Sequence, residues 1–546
     1  MHRQIVLVLV ASLPIVAPAA TFSVGSDPAC THATIQSAID AAGANAIGDQ
    51  IILAAPSFSQ VELNLTNDSI AIRGGFASCG AVAPTGRTRL VGRNDAASRV
   101  LAVTNTGLPT TLDLVVLDVG REAGEVGGGI SVSGIGPVVL TLTRSSVSGH
   151  DAVRGAGIDL SGPLSSFKTL RLAASVVSGN RATTGGGVYC SPGAVELGVG
   201  AAISSNDAQY GGGVAGKACQ VRLVGDATTR VAANTAQVDG GGVYVFDAGA
   251  VGAWRSPGAT SGPVFEYNVA GGRGGAVYIA DPSVTVVMTD AVLRGNRAGD
   301  SGGAIYAVGS DIAFDRNFEP CEPGACRVIA DNHAGTNPKT RGQGGVIALV
   351  RQSQCFIRGQ YVAGNSARVG ALVHAEDGAY LVVSDSVLAR NYGADELYWS
   401  GEIGYLNAEG TTIADNLDLV GIADGKTIAA RFEGLILTDP VSLVPRRGGS
   451  ELSTVVDCAI LDPATPLLAF ETRVARIEDP GFIDATAGNY DLRDDAPAID
   501  FCANATTLFD LRGHERGFPY RGNPELRFDV GAFERTPLFA DGFEVD

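Results

Sequence analysis

The residues of this chain best suited to chemistry are one serine, one pair of carboxylates and a series of tyrosines. Ser301 lies in the segment Gly299-Asp-Ser-Gly-Gly303, where a serine becomes a nucleophile only if a His and an Asp are placed beside it. Asp494 and Asp495 are neighbouring carboxylates, the residue type that glycoside hydrolysis requires in facing pairs. Ser301 falls inside a repeated turn, and Asp494-Asp495 precedes Pro497 in a segment typical of a structural turn. We therefore predict no catalytic residues.

Histidines and cysteines offer no metal site in the sequence. His150, His333 and His514 are isolated from one another, and we expect each to be a polar surface residue. The cysteines show no zinc spacing, and no EF-hand loop is present. We predict no metal ligands and no cofactor; only the excess of acidic residues favours Ca²⁺.

Charge and composition exclude some classes of partner. The 546 residues include 57 acidic and 39 basic ones, a net charge of −18, which argues against binding the phosphate backbone of a nucleic acid. There are 73 glycines, and aromatic residues make up only 6% of the chain. Such a composition favours thin, regularly stacked layers over a compact core of large side chains.

A repeat built around a glycine pair dominates the sequence. SGNRATTGGGVY, ending at Tyr189, recurs as RGNRAGDSGGAIY, ending at Tyr306. An aliphatic residue follows the glycines at intervals of 25 to 42 residues, and we predict that it points inward: Ile130, Ile158, Val188, Val214, Val243, Val277, Ile305, Ile347 and Leu372. Since side chains alternate along a strand, the next residue should form a solvent-facing column: Ser131, Asp159, Tyr189, Ala215, Tyr244, Tyr278, Tyr306, Ala348 and Val373.

Four tyrosines in that column are the best candidates for a binding surface. Tyr244, Tyr278 and Tyr306 are predicted on consecutive coils, and Tyr189 lies two coils earlier. Two interpretations remain open. The rings present a flat surface for sugars or an elongated partner, or they simply stack on one another.

Asparagines form a second series, one in each repeat. They are Asn180, Asn206, Asn234, Asn268, Asn296, Asn332, Asn365, Asn391 and Asn416. Asn tolerates the left-handed backbone conformation of a tight turn, and stacked Asn side chains can hydrogen-bond as a ladder. We predict a structural ladder at these positions.

Repeats of this length with several short strands predict an all-β fold, a parallel β-solenoid. Residues 101–475 would form about 13 coils of about 28 residues each. A β-propeller fits poorly, because its blades need about 40 to 45 residues. Residues 33–43 carry apolar residues at helical spacing, which predicts a short capping helix at the N-terminal end.

Two sets of motifs resemble known secreted proteins. Gly302-Gly-Ala-Ile-Tyr306, Phe265-Glu-Tyr-Asn268 and Phe314-Asp-Arg-Asn317 resemble the GGAI and FxxN motifs of polymorphic outer membrane protein repeats. That resemblance implies a single-stranded, right-handed, pectate-lyase-like parallel β-helix. Asp479-Pro-Gly-Phe482 and Asp529-Val-Gly-Ala-Phe-Glu534 belong to an ordered series similar to the terminal module of choice-of-anchor Q proteins.

The order of these segments predicts an exported protein. We expect a signal peptide at 1–20, a cap and first coils at 21–100, repeats at 101–475, the anchor-Q-like module at 476–535 and a tail at 536–546. No later stretch is long and apolar enough for an integral membrane segment. Localisation would be extracellular or at the cell surface, associated with the outer membrane.

An oxidising compartment permits disulfides among the nine cysteines. We expect Cys355 to remain a buried thiol and the others to pair as Cys30–Cys79, Cys190–Cys219, Cys321–Cys326 and Cys458–Cys502. Cys321 and Cys326 fall in an insertion of about 14 residues between Ile305 and Ile347. This insertion is either a recognition loop or simply a tolerated one.

The sequence therefore predicts a non-catalytic, adhesin-like protein that binds glycans, such as polysaccharides, or cell-surface proteins. A polysaccharide lyase or glycoside hydrolase on the same fold is the first alternative, favoured if carboxylates and an Arg share a cleft on one sheet. A structural component of the cell envelope is the second.

Overall fold

Each repeat folds into one coil of a right-handed parallel β-helix. Apolar residues alternate with polar ones over short stretches, as strands with one buried face require. The pairing register places equivalent residues of successive coils side by side, so that Ile158 lies between Ile130 and Val188. About 15 coils form in all; the 13 predicted coils referred to residues 101–475 alone, and residues 21–100, where the first coils were expected, also build coils. The predicted fold class is confirmed.

The computed structural model describes residues 19–43, 48–122, 124, 126–317, 319, 321–322, 324–337, 342–401, 403–414, 417–438, 451–466, 470–504, 507–517 and 527–535. The body of the expected signal peptide, the C-terminal tail and Asn416 lie outside these residues.

The strands of successive coils pair into sheets that form four faces of the molecule. The two sheets that meet at the glycine turns are named sheet A and sheet D. Sheet A contains Leu63–Thr66, Arg99–Asn105, Gly128–Gly134, Ile158–Ser161, Val188–Ser191, the first parts of Val214–Gly225 and Val243–Arg255, Val277–Ile279, Ile305–Val308, Ile347–Val350, Val373–Ala375, Asp395–Trp399 and Asp418–Ile422. The seven-stranded sheet D contains Asp151–Arg154, Arg181–Thr184, Asp207–Tyr210, Thr235–Asp239, Val269–Ala270, Arg297–Ala298 and His333–Ala334.

Sheets B and C complete each coil. Sheet B contains Thr21–Val24, Asp49–Leu53, Ile70–Arg73, Thr110–Val115, Val138–Thr143, Lys168–Ala173, Gly193–Leu197, the second parts of Val214–Gly225 and Val243–Arg255, Val284–Thr289, Asp311–Asp315, Gln354–Arg358, Tyr380–Ser384, Ile403–Glu409 and the first parts of Thr427–Leu437 and Glu451–Leu461. Sheet C contains Ser57–Val61, Thr88–Gly92, Leu117–Gly120, Ser146–Ser148, Val176–Ser178, Ala202–Ser204, Arg230–Ala232, Val264–Glu266, Val292–Arg294, Val328–Ala330, Tyr361–Ala363, Val387–Ala389, Thr412–Ala414, the second parts of Thr427–Leu437 and Glu451–Leu461, and Glu471–Arg476.

The inward aliphatic series of sheet A is fully buried, as predicted, with one error of register. Ile347 pairs with Val373, not with Leu372. The repeat here reads Gly370-Ala-Leu-Val373, and Gly370 takes the positive φ that the first glycine takes in other coils. Because Ala371 and Leu372 replace the following glycines, an alignment on the last glycine placed this coil one residue early.

A short helix closes the N-terminal end, as predicted. It spans Ile35–Gly43 and buries Ile35, Ala38, Ile39 and Ala42 against the first coils. The hydroxyl of Thr34 accepts a hydrogen bond from the backbone N–H of Ser37 at 3.2 Å and so caps the first turn.

The asparagines form a continuous ladder at the turn from sheet C towards sheet D. In the middle of it, the side-chain amide of Asn234 donates to the Oδ1 of Asn268 at 3.0 Å, and the amide of Asn268 donates to the Oδ1 of Asn296 at the same distance. Each of these amides also donates to a backbone carbonyl of the previous coil, Ile203 for Asn234 and Val231 for Asn268.

The left-handed conformation lies one residue before each ladder asparagine. The positive φ values belong to Gly179, Ser205, Ala233, Tyr267, Gly295, Asp331, Gly364 and Arg390. The sequence prediction assigned this conformation to the asparagines themselves and was wrong. A left-handed residue bends the chain from the strand of sheet C towards that of sheet D, and the Asn that follows it is buried and bonds to its neighbours in the ladder.

The ladder begins with a histidine instead of an asparagine. The backbone N–H of His150 donates to Asn180 Oδ1, and its ring Nε2 lies 3.2 Å from the carbonyl of Val119, where a ladder amide would bond. At the other end, Asn391 donates to Glu396 Oε1 at 2.9 Å. His150 is only 1% exposed, which corrects its assignment to the surface.

The described residues of the C-terminal segment, within 479–535, fold back along the outer face of sheet C. It contains an antiparallel hairpin, Phe482–Asp484 with Asn489–Leu492. Its apolar side chains pack on the outward residues of sheet C, such as Val387 and Ile460.

Four disulfides join Cys30–Cys79, Cys190–Cys219, Cys321–Cys326 and Cys458–Cys502, which are the expected pairs. The bridge between Cys458 and Cys502 ties the C-terminal segment to the last long strand of the helix. Cys355 is free and buried, and its burial raises the pKa of the thiol.

Candidate functional site

The outward residues of sheet A form one column along the molecule, which we call the outer column. In pairing order it consists of Asn64, Ala102, Ser131, Asp159, Tyr189, Ala215, Tyr244, Tyr278, Tyr306, Ala348, His374, Tyr398 and Gly421. His374 replaces Val373 in the predicted series, because the register error at Leu372 carries over to the next residue. Val373 points into the core.

The outer column is not the open solvent face that the sequence predicted. Tyr278 is 7% exposed, and Ala348 and His374 are each 1% exposed. Side chains from the glycine turns cover it: the Arg154 guanidinium lies 4.7 Å from the ring centre of Tyr189, and Gln343 contacts His374. The alternating pattern of a strand predicts which side chains point outward from the sheet, but it does not predict which other side chains cover them.

Three of the four predicted tyrosines stack on one another. The ring centres of Tyr244 and Tyr278 are 5.0 Å apart at an interplanar angle of 6°, and those of Tyr278 and Tyr306 are 5.2 Å apart at 1°. Both faces of Tyr278 are therefore covered by neighbouring rings. The stack presents ring edges to its surroundings, and Tyr189 stands apart because Ala215 occupies the coil between it and Tyr244.

Arg273 holds the edge of this stack. Its guanidinium carbon lies 5.0 Å from the ring centre of Tyr278 and 4.9 Å from that of Tyr306. The same guanidinium forms an ion pair with Asp239 at 2.8 Å. Burial is the main cause that raises the pKa of Tyr278 to about 12, so the phenol stays neutral.

The stack ends at Ala348, and a recess of about 270 Å³ opens there. Its lining is mostly polar: Arg273, Asp300, Ser301, Tyr306, Gln343, Ala348, Val350, His374 and Glu376. Beyond it, aromatic stacking resumes, since the rings of His374 and Tyr398 lie 5.7 Å apart at 17°. Tyr306, the last ring of the stack, is half-buried and forms part of the wall of the recess.

Hydrogen bonds fix the side of the recess nearest sheet D. Gln343 Nε2 lies 3.2 Å from His374 Nε2, and the hydroxyl of Ser301 lies 3.5 Å from Gln343 Oε1. Ser301 therefore contacts an amide instead of the histidine that a nucleophilic serine requires. Its Gly-Asp-Ser-Gly-Gly segment belongs to the repeated turn, as predicted.

The charge of the recess is shifted towards negative. Arg273 is already paired with Asp239, while Asp300 and Glu376 add two carboxyl groups. Burial lowers the pKa of His374 to about 4, so its ring is neutral at physiological pH. Burial, assisted by the nearby charge of Asp377, raises the pKa of Glu376.

A second recess, of about 460 Å³, lies further along the outer column, near Ser131. Here Arg154 forms an ion pair with Asp159 at 3.2 Å and donates to the hydroxyl of Ser161 at 3.0 Å. The Nη1 atom of Arg99 is buried with no hydrogen-bond partner among the described residues, and burial lowers the pKa of this guanidinium.

The remaining sequence candidates lie elsewhere and are paired. Asp495 contacts Arg493 at 3.3 Å, and Asp494 pairs with Arg535. His333 bonds to the hydroxyl of Ser366 at 2.7 Å, and His514 lies 3.6 Å from Asp510.

The insertion with Cys321 and Cys326 lies between sheets B and C, away from the outer column. Arg316 at its start pairs with Asp385 at 3.2 Å, and Arg327 at its end donates to the carbonyl of Leu511 at 3.0 Å. It therefore packs against the C-terminal segment.

Four residues of the recess were not predicted from the sequence: Gln343, His374, Asp300 and Glu376. A correct register at Gly370 would have placed His374 in the outer column.

No family model and no curated protein matches the chain. Within the described part of the chain, no helix has both the length and the apolar character needed to cross a membrane. Over the same residues, no group of three or more His, Cys, Asp or Glu side chains is arranged to hold a metal ion.

Proposed function

We propose that this protein is exported and binds glycans on the outer face of sheet A. One observation carries the proposal: the half-buried ring of Tyr306, at the end of the tyrosine stack, lines a polar recess on sheet A. Small-molecule sites combine apolar or aromatic walls with a few convergent polar groups. Here the apolar wall is the Tyr306 ring, and Ser301, Gln343 and Asp300 supply donors and acceptors of the kind that sugar hydroxyls bond.

The location of the protein is part of the same proposal. We infer that it acts outside the cell or at its surface, in association with the outer membrane, where glycans and cell-surface proteins are available. Four disulfides, which persist in oxidising compartments, support this. The GGAI-like and FxxN-like motifs and the anchor-Q-like series support it too, because they resemble motifs of secreted proteins.

Calorimetric titration of residues 21–546 tests glycan binding. The ligands are cellohexaose, laminarihexaose, mannohexaose, maltohexaose and hexagalacturonate. We expect at least one to bind, and Tyr306→Ala to weaken that binding at least tenfold. The matched control is Tyr405→Ala, which removes one ring of the stacked pair Tyr380–Tyr405 on sheet B, 4.8 Å apart. This control should bind like the wild type.

Two outcomes would contradict the proposal. Absence of binding for every oligosaccharide would favour a structural component of the envelope instead. Equal loss in the two variants would place the binding surface outside the recess.

The recess also favours a second candidate, a glycoside hydrolase. Two carboxyl groups and an arginine, Asp300, Glu376 and Arg273, share it, which is the arrangement that would favour an enzyme. A general acid must keep its proton near neutral pH, and burial raises the pKa of Glu376 in that direction. Release of reducing ends from the same oligosaccharides, abolished by Glu376→Gln with binding retained, would support it. No release above a heat-denatured control would reject it.

A further inference from the structure

We propose that the recess near Ser131, which we call the Arg99 recess, is a binding site for an acidic sugar whose carboxylate or sulfate group is held by Arg99. The inference goes beyond the recess beside Tyr306 and does not depend on it. Both recesses lie along the outer column, but their linings differ in charge.

Arg99 is the cation that distinguishes this recess. Among the described residues its guanidinium forms no hydrogen bond and no ion pair, and its Nη1 atom is enclosed without a partner. Burial lowers the pKa of this group, because an unpaired charge is poorly solvated there. An anion that reaches the guanidinium would supply the missing partner.

The two carboxylates of the lining are already paired with other arginines. Asp159 forms an ion pair with Arg154 at 3.2 Å, and Glu62 forms one with Arg93 at 3.0 Å. Arg99 is therefore the uncompensated charge of the lining, in a chain whose net charge is −18. The local excess of one positive charge favours a ligand with a negative charge.

A glycine on the next coil makes room for the guanidinium. Arg99 is the first residue of the strand Arg99–Asn105 and pairs with Gly128. A Cβ atom at position 128 would lie 1.6 Å from Arg99 Nη1, so the arginine occupies the space that the glycine leaves. A side chain that is already held in place loses less conformational freedom when it binds a ligand.

The Arg99 recess is open and large enough for a sugar. Its volume of about 460 Å³ lies within the range of about 300 to 1,000 Å³ that is typical of small-molecule sites. Asn64 is exposed, and Ala102 and Ser131 are half-buried. This part of the outer column is therefore accessible, in contrast to the part at Ala348, which is only 1% exposed.

The polar side chains of the lining favour a sugar over a bare anion. Asn64, Ser131 and Ser133 supply amide and hydroxyl groups that can bond to sugar hydroxyls. A carboxylate or sulfate ester on the same sugar would form charge-assisted hydrogen bonds with Arg99, which are about twice as strong as neutral ones. A bare acetate or sulfate ion would use the guanidinium alone.

Calorimetric titration of the full-length exported chain tests the site. The ligands are glucuronate and glucose 6-sulfate, with neutral glucose, acetate and inorganic sulfate for comparison. We expect at least one of the two acidic sugars to bind, and glucose and the two small ions to bind at least tenfold more weakly than that sugar.

Arg99→Gln should weaken binding of the acidic sugar at least tenfold, because it removes the charge that holds the anion. The matched control is Arg222→Gln, which removes the same charge from an exposed position on sheet B. This control should change the affinity less than twofold.

A second pair of variants changes the charge of the lining without altering Arg99. Ser131→Glu adds a carboxylate that compensates the guanidinium, whereas Ser131→Gln adds a side chain of similar size without charge. We expect Ser131→Glu to weaken binding of the acidic sugar at least fivefold more than Ser131→Gln does. This pair decides the matter if Arg99→Gln does not fold by circular dichroism.

The results separate this site from the recess beside Tyr306. Tyr306→Ala should leave the affinity for the acidic monosaccharide unchanged, and a loss in that variant would reject the Arg99 recess while supporting the proposed function. Failure of both acidic sugars to bind, or equally tight binding of glucose, acetate or sulfate, also rejects an acidic-sugar site. So does unchanged binding in Arg99→Gln, or equal binding in Ser131→Glu and Ser131→Gln.

Discussion

The asparagine ladder and the outer column are both stacks of one residue per coil, yet they differ in completeness. In the ladder, the side-chain amide of every asparagine from Asn180 to Asn365 donates to the next asparagine at 3.0 Å. In the outer column, stacking of the rings Tyr244, Tyr278 and Tyr306 stops at Ala348 and resumes at His374. The asparagine ladder is complete over these coils, whereas the ring stack of the outer column is interrupted.

The difference in completeness follows from where each stack lies, inside the core or on its outside. A ladder inside the core must be complete, because each missing member leaves buried donors and acceptors without partners. A stack on the outside loses only modest ring-to-ring interactions where a small residue replaces a tyrosine. The outer column therefore tolerates an interruption of the ring stack at Ala348, and the polar recess lies beside that interruption.

The largest expected effect comes from interrupting the ladder. Asn268→Ala removes the acceptor for the backbone N–H and side-chain amide of Asn234, and the donor to Val231 and Asn296. Several buried polar groups then lack partners, so we expect a loss of about 3 to 5 kcal/mol of unfolding free energy. Urea denaturation measures it.

The control for this variant is Asn94→Ala, at an exposed site, which should cost less than about 1 kcal/mol. A similar small loss for Asn268→Ala would show that the ladder is not needed for stability.

The architecture of both stacks was predictable because it repeats. Spacing alone identified the inward residues, the tyrosines and the asparagines, and helical spacing identified the cap at Ile35–Gly43. Each error concerned something that varies between coils or depends on distant segments. Gly370-Ala-Leu shifted the register by one residue, and His150 took an asparagine position that no Asn pattern could reveal.

The candidate site was harder to predict because its walls come from different turns. Arg273, Ser301 and Gln343 precede three successive strands of sheet A, and nothing in a single repeat shows that they line one recess. The coverage of the outer column depends on the same turns. The insertion near Cys321 packs on the C-terminal segment almost 200 residues later in the chain, a contact that local sequence cannot indicate.

Each stack also contains one buried histidine, which predicts a response to acid. Burial lowers the pKa of His150 to about 3, with Arg121 and Arg99 adding repulsion and the bond to Val119 opposing them. Burial lowers the pKa of His374 to about 4. Below pH 6.5 the unfolded chain binds these protons and the folded chain does not, so stability falls as pH falls. Each histidine should cost about 2 kcal/mol between pH 6.5 and 5.

His150→Asn isolates the contribution of the ladder. Asparagine at this position can donate to Val119 and to Asn180, which extends the ladder by one coil and removes the titrating ring. The difference in unfolding free energy between variant and wild type should grow in favour of the variant by about 2 kcal/mol from pH 6.5 to 5. Other titrating groups, including Asp529 and Glu534 with their raised pKa values, are common to both proteins and cancel.

His32→Asn, at a half-buried site near the N-terminus, serves as the comparison. A pH-independent difference for His150→Asn would mean that the ring of His150 takes up its proton over the same pH range in the folded as in the unfolded protein.

The smallest effect tests the interruption of the outer column at Ala348. Ala348 is only 1% exposed, so a ring at this position must displace the side chains that cover the alanine. Such overpacking costs about 1 to 3 kcal/mol, and the two ring pairs that Ala348→Tyr would add, each stabilising by about 0.5 to 1.5 kcal/mol, offset only part of it. We therefore expect a loss of about 1 kcal/mol in unfolding free energy, measured as a lower urea midpoint with an unchanged slope. A variant more stable than the wild type would show instead that the covering side chains move aside without cost and that the rings stack continuously from Tyr244 to Tyr398.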